Sequence, residues 1–158
     1  MELLILALEV LASPVFFTLQ LDYSSPLLRI CFGYVIKYLD DYNPRIRSAA
    51  SVTCAAVVDK AASSSSDLEA DVVSLLPRII DALLMAGIGD DSTDIRRGIF
   101  SLLTPNLDVY LARSNYIHCL IDALNDESVQ VRISAISVLA RTSRAYSSFT
   151  FSMFNYSS

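Results

Sequence analysis

The chain has 158 residues, of which 53% are hydrophobic and 18% charged, and its formal net charge is −5. This composition excludes a disordered chain, and four glycines and five prolines are too few for a many-stranded sandwich or barrel. The negative charge, with no basic stripe, argues against nucleic-acid binding. The mean hydropathy of +0.46 is high. The chain therefore either belongs in a membrane or buries apolar surface against something else.

The first segment is apolar from Leu3 to Leu21 and carries Glu9 as its only charge. It approaches the ~20 residues that span a bilayer, so a membrane span is one alternative. However, Pro14 interrupts the run, and a signal peptide would need basic residues at its start. We therefore predict a buried helix over about Glu2–Leu11.

Three short blocks farther along the chain are similar to one another. Each has an acid, an aliphatic residue five places later and an arginine at the sixth place. The blocks are Asp41–Arg47, Asp90–Arg96 and Asp126–Arg132, so the acids are 49 and 36 residues apart. These distances bracket the repeat length of about 40–47 residues in HEAT and armadillo proteins.

Each block is predicted to begin an amphipathic helix. The acid suits a helix N-terminus, Asn43 is a capping residue, and Pro44 is favoured at the first helical position. Ser92 or Thr93, and Ser128, are candidate caps of the other two helices. Apolar residues then recur at helical spacing. The predicted buried faces are Ile46, Ala49, Ala50, Thr53, Cys54 and Val57; Ile95, Ile99, Leu102 and Leu103; and Val131, Ala135, Val138 and Leu139.

The third of these helices has a second apolar row, formed by Val129, Ile133, Ile136 and Ala140. A helix that is apolar on two faces needs a cover on both, as it has inside a stack of helical hairpins. We expect this row to stay partly exposed in the present chain.

A partner helix is predicted ahead of each block, at Leu27–Leu39, Val72–Met85 and Tyr116–Leu124. Pro77 is expected to bend the second of them. Since one hairpin cannot bury its own apolar face, the hairpins stack, and the sequence predicts an all-α solenoid. The predicted units are a partial repeat with a linker (1–22), repeats at 23–60, 72–108 and 109–144, a serine-rich loop (61–71) and an irregular or disordered tail (145–158). Whether Ser63–Ser66 are phosphorylated is left open.

The blocks, together with Leu75-Leu76-Pro77 in a partner helix, resemble the HEAT-repeat consensus. In that family the acid and the arginine of successive repeats form a ladder along the solenoid. The resemblance implies a structural ladder, which consists of Asp41, Arg47, Asp90, Arg96, Asp126 and Arg132.

A narrower resemblance is to the HEAT region of the target of rapamycin (TOR) protein kinases. It covers roughly residues 2–143 and implies a fragment truncated before the kinase domain. The sequence contains none of the G-x-G-x-x-G, H-R-D and D-F-G motifs of kinases. The matching positions are Gly87-Ile88, Asp94-Ile95-Arg96, Asp108, Leu111-Ala112, Ala123-Leu124-Asn125-Asp126, Arg132, Ala135-Ile136 and Arg141, with Leu8–Leu11 and Tyr38–Ala50 upstream.

No catalytic, cofactor-binding or metal-binding residues are expected. His118 is the only histidine, and Asp122 shares its helix face, but two ligands do not make a zinc site. The three cysteines, Cys31, Cys54 and Cys119, form no C-x-x-C pair and lie in apolar helical patterns. They favour a reduced, cytoplasmic setting.

We interpret the chain as a non-catalytic scaffold segment of a TOR-type kinase, an enzyme of growth and nutrient signalling. The resemblance implies protein partners, which are regulatory subunits or other solenoid segments of a TOR-like complex. Nucleic acid and small-molecule substrates are not expected, and membrane association would be indirect. The alternative is a free-standing HEAT or armadillo adaptor, of the phosphatase-scaffold or transport-receptor type.

Overall fold

The computed structural model describes the backbone of residues 1–13, 24–63 and 74–155, and the side chains of residues 1–13, 28–63 and 74–144. Within these ranges the chain has eight α-helices, short 3-10 helices at Val35–Asp40, Pro105–Leu107 and Ala123–Asn125, and no strand. The prediction of an all-α solenoid is confirmed. The α-helices are α1 (Glu2–Ala12), α2 (Ser24–Gly33), α3 (Pro44–Ser63), α4 (Leu75–Gly89), α5 (Thr93–Leu102), α6 (Asp108–Leu111), α7 (Ser114–Asp122) and α8 (Val129–Asn155).

The helices form two layers. The first layer consists of α2 with the 3-10 helix Val35–Asp40, then α4, then α7, and each of these packs on the next. The second layer consists of α1, α3, α5 and α8, which also pack in chain order. The hydrophobic core lies between the layers. Repeated hairpins thus bury apolar surface that one hairpin alone would leave exposed.

The predicted apolar faces of the second layer point into this core. All six predicted residues of α3 are buried, as are Ile95, Ile99 and Leu103 in or next to α5. In the first layer, α4 contributes the buried residues Leu76, Ile79, Ile80, Leu83 and Leu84.

Gly87 lies where α4 packs closely against α5. A Cβ atom built on Gly87 would lie 3.1 Å from Ile99 Cγ2 and 3.3 Å from Phe100 Cζ. A side chain at this position would therefore require Ile99 and Phe100 to shift by a few tenths of an ångström, so the glycine permits the present close packing.

Three local predictions need correction. Pro77 is the third residue of α4, where its N–H would have no helical partner, so the expected bend has no cause. The first partner helix is divided at Tyr34 into α2 and a 3-10 helix. The predicted serine-rich loop is helical over residues 61–63, because α3 ends only at Ser63; residues 64–71 lie outside the described part.

The tail predicted to be irregular or disordered is helical over residues 145–155, because α8 continues to Asn155. The reason is that no glycine or proline stands between Val129 and Asn155, so nothing stops the helix from propagating. Residues 156–158 lie outside the described part, and the boundaries of the repeat units stay predictions.

No helix in the described ranges is long and apolar enough to cross a membrane. The apolar N-terminal run belongs in part to α1, whose Ile5 and Leu8 are buried against the stack. The rest of that run, from Pro14 to Leu21, lies outside the described residues.

We expect Ile99→Asp to destabilise the chain by several kcal/mol or to unfold it, because Ile99 is 1% exposed and the new carboxylate would have no partner. Ser101→Asp is the matched control in the same helix, since Ser101 is exposed. It should change the free energy of unfolding by about 0.5 kcal/mol or less. Urea unfolding of both variants measures the difference. Similar losses in the two would contradict this orientation of α5.

Candidate functional site

The acids of the three blocks shape the turns between the layers. In each turn, Oδ1 of the aspartate accepts a hydrogen bond from the backbone N–H two residues later, an arrangement typical of aspartate in turns. The three bonds are Asn43 N to Asp41 (2.8 Å), Ser92 N to Asp90 (2.7 Å) and Ser128 N to Asp126 (2.8 Å).

The capping predictions have different outcomes. Asn43 is confirmed as a cap, because its Oδ1 accepts a hydrogen bond of 2.9 Å from Arg45 N. Of the two candidates for α5, Thr93 lies inside the helix and Ser92 occupies the N-cap position, but no side chain makes the predicted capping hydrogen bond there.

Each block arginine is the fourth residue of its helix in the second layer. Helical side chains lean toward the N-terminus, so the guanidinium groups reach back to the acidic turns. Arg47 Nη1 donates to the carbonyl oxygen of Asp41, in its own turn, at 2.8 Å. Its Nε and Nη2 donate to Oδ2 and Oδ1 of Asp90, in the next turn, at 2.7 and 3.0 Å.

Arg96 repeats this geometry one unit later. Its Nη1 donates to the Asp90 carbonyl oxygen at 2.7 Å, and its Nε and Nη2 donate to Asp126 Oδ2 and Oδ1 at 2.7 and 3.0 Å. Nη2 also donates to Glu127 Oε1 at 3.2 Å. The structure therefore brings Arg47 to Asp90 and Arg96 to Asp126, so that each arginine joins its own turn to the following one.

These two rungs are buried. The side chains of Arg96 and Asp126 are each 7% exposed, and those of Arg47 and Asp90 are 13% and 2% exposed. Hydrogen bonds from Arg96, the largest cause, hold the pKa of Asp126 below its ordinary value. The hydrogen bonds to Asp90 and Asp126 raise the pKa values of Arg47 and Arg96. Arg96 and Asp126 thus both stay charged, and the loss of one would leave the other as a buried, unpaired charge.

The outer members of the predicted ladder are not paired in this way. Arg132 Nη1 donates to the carbonyl oxygens of Asp126 and Glu127 at 2.8 and 3.1 Å. No carboxylate among the described residues accepts from its Nε or Nη2. Likewise, no arginine in the described ranges donates to the carboxylate of Asp41, because α1 contains no arginine.

A second set of contacts ties the units together at the other end of the helices. Arg141 Nε lies 2.8 and 2.9 Å from the two carboxylate oxygens of Asp108, and its Nη2 donates to the Leu103 carbonyl oxygen at 2.6 Å. The Asp59 carboxylate, at the end of α3, accepts hydrogen bonds from Thr104 Oγ1 and, at 2.9 Å, from Asn106 Nδ2.

Sequence reasoning missed these contacts, because the partners are more than 30 residues apart and share no block. The one signal was that Asp108 and Arg141 are both among the positions that match the TOR family.

The candidate ligands considered from the sequence do not assemble. His118 is exposed, and the described part of the chain holds no group of three or more His, Cys, Asp or Glu residues that could bind a metal ion. The three cysteines are free. Two of them, Cys31 and Cys54, are buried with their Sγ atoms 3.4 Å apart, which their 23-residue separation did not indicate. This contact, more than burial, raises the pKa of the Cys54 thiol.

We expect Arg96→Ala to lower the free energy of unfolding by about 2 kcal/mol or more, because it removes the guanidinium donors of the Asp126 carboxylate and of the Asp90 carbonyl. Arg97→Ala is the matched control, since Arg97 is half exposed and pairs only with the exposed Asp94. It should cost about 0–1 kcal/mol. Urea unfolding compares the two, and an equal cost would show that the buried rung adds no stability.

The lowered pKa of Asp126 predicts a loss of stability in acid. A carboxylate whose pKa is lower in the folded state contributes stability above its unfolded pKa of about 3.9, and the contribution is lost as the pH falls through the folded value. We therefore expect acidification below about pH 4 to reduce the free energy of unfolding more in the wild type than in Asp126→Asn, which has no carboxyl group to protonate. Urea unfolding over an acidic pH series measures this. If the free energy of unfolding had the same pH dependence in both proteins, the lowered pKa of Asp126 would be contradicted.

No protein-family model matches the chain. It is 35% identical over 142 residues to "Serine/threonine-protein kinase tor1" of Schizosaccharomyces pombe, a match that covers 89% of this chain and 6% of that protein. It is 29% identical over 127 residues to "Serine/threonine-protein kinase TOR" of Arabidopsis thaliana, covering 74% of this chain and 5% of the relative. The TOR kinase of Oryza sativa subsp. japonica is 39% identical over 67 residues, which are 41% of this chain and 3% of that kinase.

The chain thus spans 6% or less of the length of these relatives. The first match includes most of the described helices, so the similarity extends well beyond the three blocks. The chain is therefore a homologue of one short segment of the TOR serine/threonine-protein kinases.

Proposed function

We propose that this chain is a non-catalytic scaffold segment of a TOR-type kinase, which holds neighbouring solenoid segments and regulatory subunits at a fixed spacing. The observation that carries the proposal is the pair of buried arginine–aspartate rungs between successive hairpins. The similarity to TOR kinases over 89% of the chain supports the kinase context. It also favours this function over a free-standing adaptor.

The geometry of the rungs suits a rigid spacer. Each arginine contacts its own turn through one nitrogen and the next turn through two, and all of these bonds are 3.0 Å or shorter. A bidentate bond between guanidinium and carboxylate depends on both distance and orientation. A hairpin that slides or tilts against its neighbour would therefore break charged hydrogen bonds in a buried position.

The kinase activity named for the relatives is proposed to lie in parts of those proteins that this chain does not match. The sequence of the chain contains no kinase motif. A spacing role in a cytoplasmic kinase complex needs no residue that binds a nucleotide, a metal ion or a substrate.

The outer face of α8 is proposed to contact the next solenoid segment. Val129, Ile133 and Ile136 are each about half exposed and follow one another at helical spacing. Arg132 lies in the same turn, with Nε and Nη2 unpaired among the described residues. In the other two units, these same nitrogens bind the aspartate of the following turn. A hairpin that brings an aspartate in its turn would cover the apolar row and complete a third rung.

A hybrid kinase tests this proposal. The matched segment of Schizosaccharomyces pombe tor1 is replaced by this chain, with or without Ile133→Glu. Because Ile133 is 52% exposed, the substitution should leave the isolated chain folded, as circular dichroism would verify. In the hybrid it should place a carboxylate in the contact with the next segment and reduce the yield of soluble kinase by roughly tenfold or more.

Val109→Glu is the matched control, since Val109 is 64% exposed and lies outside the α8 row. It should leave the hybrid unchanged. A hybrid that fails to assemble although the isolated chain is folded, or that tolerates Ile133→Glu as well as Val109→Glu, would contradict the scaffold role.

A further inference from the structure

We propose that Cys31 and Cys54 form a reversible disulfide that locks one hairpin of the stack when a small disulfide, such as oxidised glutathione, accumulates. This hairpin consists of α2, the 3-10 helix Val35–Asp40 and α3, and we call it the first hairpin. Cys31 lies in α2, in the first layer, and Cys54 lies in α3, in the second layer. The bond would therefore join the two layers across the hydrophobic core.

The two thiols are already in contact. Cys31 Sγ donates to Cys54 Sγ across 3.4 Å, and the two residues are 1% and 0% exposed. A disulfide places its sulfur atoms about 2.05 Å apart. The sulfur atoms must thus approach by roughly 1.4 Å. Modest rotations of the two side chains, with a slight approach of the helices, supply this distance.

The other units fill the corresponding positions with larger apolar residues. Cys54 is seven places after the arginine of its block, and Cys31 is ten places before the acid. The residues at these positions in the other units also belong to the core or pack against it, and they are Leu103 and Leu139 for Cys54, and Ile80 and Tyr116 for Cys31. A single buried cysteine is an ordinary small hydrophobe. Here both positions hold cysteine in the same unit, so apolar burial is lower where a covalent bond can form.

The closed hairpin protects the reduced pair. The contact with Cys31 raises the pKa of the Cys54 thiol well above its ordinary value, and a protonated thiol is a poor nucleophile. Reaction with a small disulfide therefore requires α2 to separate transiently from α3. The end of α2 suits such an opening, because a Cβ atom built on Gly33 would meet no packed neighbour within 4 Å and the α-helix stops at Tyr34.

The bond forms in two exchange steps. In the open state, one of the two cysteines loses its proton to water and attacks the small disulfide, whose S–S bond breaks and releases one small thiolate. When the hairpin closes, the second cysteine loses its proton and attacks the protein sulfur of the mixed disulfide, and the second small thiolate leaves. The two cysteines lose two electrons and two protons, and the small disulfide becomes two thiols. In a reducing setting the same steps run backward.

The disulfide would restrain the part of the stack that precedes the first complete rung. The loop that it closes contains the first acidic turn and Arg47, which joins this turn to Asp90. Because the bond connects residues 23 places apart, it also restricts the unfolded chain. We therefore expect the oxidised chain to have a Tm roughly 5–10 °C above that of the reduced chain.

Peptide mapping tests the bond. The full chain is incubated with reduced and oxidised glutathione at a series of ratios, quenched with acid and digested for mass spectrometry. We expect a linked pair of peptides that contains Cys31 and Cys54, in a chain lighter by two hydrogen atoms. Cys119 should form only a mixed disulfide with glutathione, because the contact between Cys31 and Cys54 gives that pair a high effective concentration. Thermal unfolding then measures the rise in Tm, which dithiothreitol should reverse.

Three variants assign the effect. Cys54→Ala and Cys31→Ala, whose folding circular dichroism verifies, should each abolish the response of Tm to oxidised glutathione. The matched control is Cys119→Ala, which should keep both the linked peptides and the rise in Tm.

Two results would overturn the proposal. The first is a mixed disulfide at Cys119 without any linked peptides of Cys31 and Cys54. The second is a linked chain whose Tm is unchanged or lower, because the bond would then not lock the hairpin. Neither result depends on the hybrid kinase, so this proposal and the scaffold role fail separately.

Discussion

The guanidinium group that joins one acidic turn to the next is the interaction on which the stack depends. Arg96 donates to the backbone of its own turn at Asp90 and to the carboxylate of the following turn at Asp126. Because both side chains are almost fully buried, neither charge has access to water as a substitute. If one hairpin moved relative to its neighbour, these buried charges would separate, which costs more free energy than a similar shift in a purely apolar contact.

Contacts at the far end of the helices complete this coupling. Arg141 with Asp108, and Asp59 with Thr104, tie the units at points several turns along the second-layer helices from the acidic turns. Between the two ends, the layers meet through close apolar packing, for which the approach of α4 and α5 at Gly87 is an example. Apolar packing supplies most of the burial but little directional restraint, whereas the charged contacts at both ends fix the rotation and the slide of each hairpin.

The periodic parts of the structure were predictable from the sequence. The aspartate and the arginine six places later share a block, and helical side chains lean back to the turn, so the contact of Arg47 with its own turn follows from local geometry. The other two guanidinium nitrogens of Arg47 bind Asp90 in the next turn. This partner depends on the spacing between hairpins, and no local sequence pattern encodes that spacing. The resemblance to the HEAT consensus supplied that expectation. Arg141 and Asp108, 33 residues apart, had no periodic signal.

The errors at helix ends have a common physical cause, which is that a residue's effect depends on its exact place in the helix. Pro77 breaks a helix interior but is harmless in the first turn of α4, and the start of that helix was assigned too early. The residues after Arg144 lack helical apolar periodicity, yet they contain nothing that ends a helix. Ser92 occupies the N-cap position of α5 and is a suitable cap by type, but its hydroxyl makes no capping hydrogen bond.

The two incomplete rungs give the ends of the stack opposite chemistry. At one end, α1 has no arginine, so the Asp41 carboxylate accepts no arginine within the described residues. At the other end, Arg132 presents two unpaired nitrogens beside the apolar row of α8. A group that completes the rung at Asp41 would have to be a guanidinium, whereas one that completes the rung at Arg132 would have to be a carboxylate. The same motif that fixes the spacing of the hairpins thus gives the stack a direction, because each rung has its carboxylate on one side and its guanidinium group on the other.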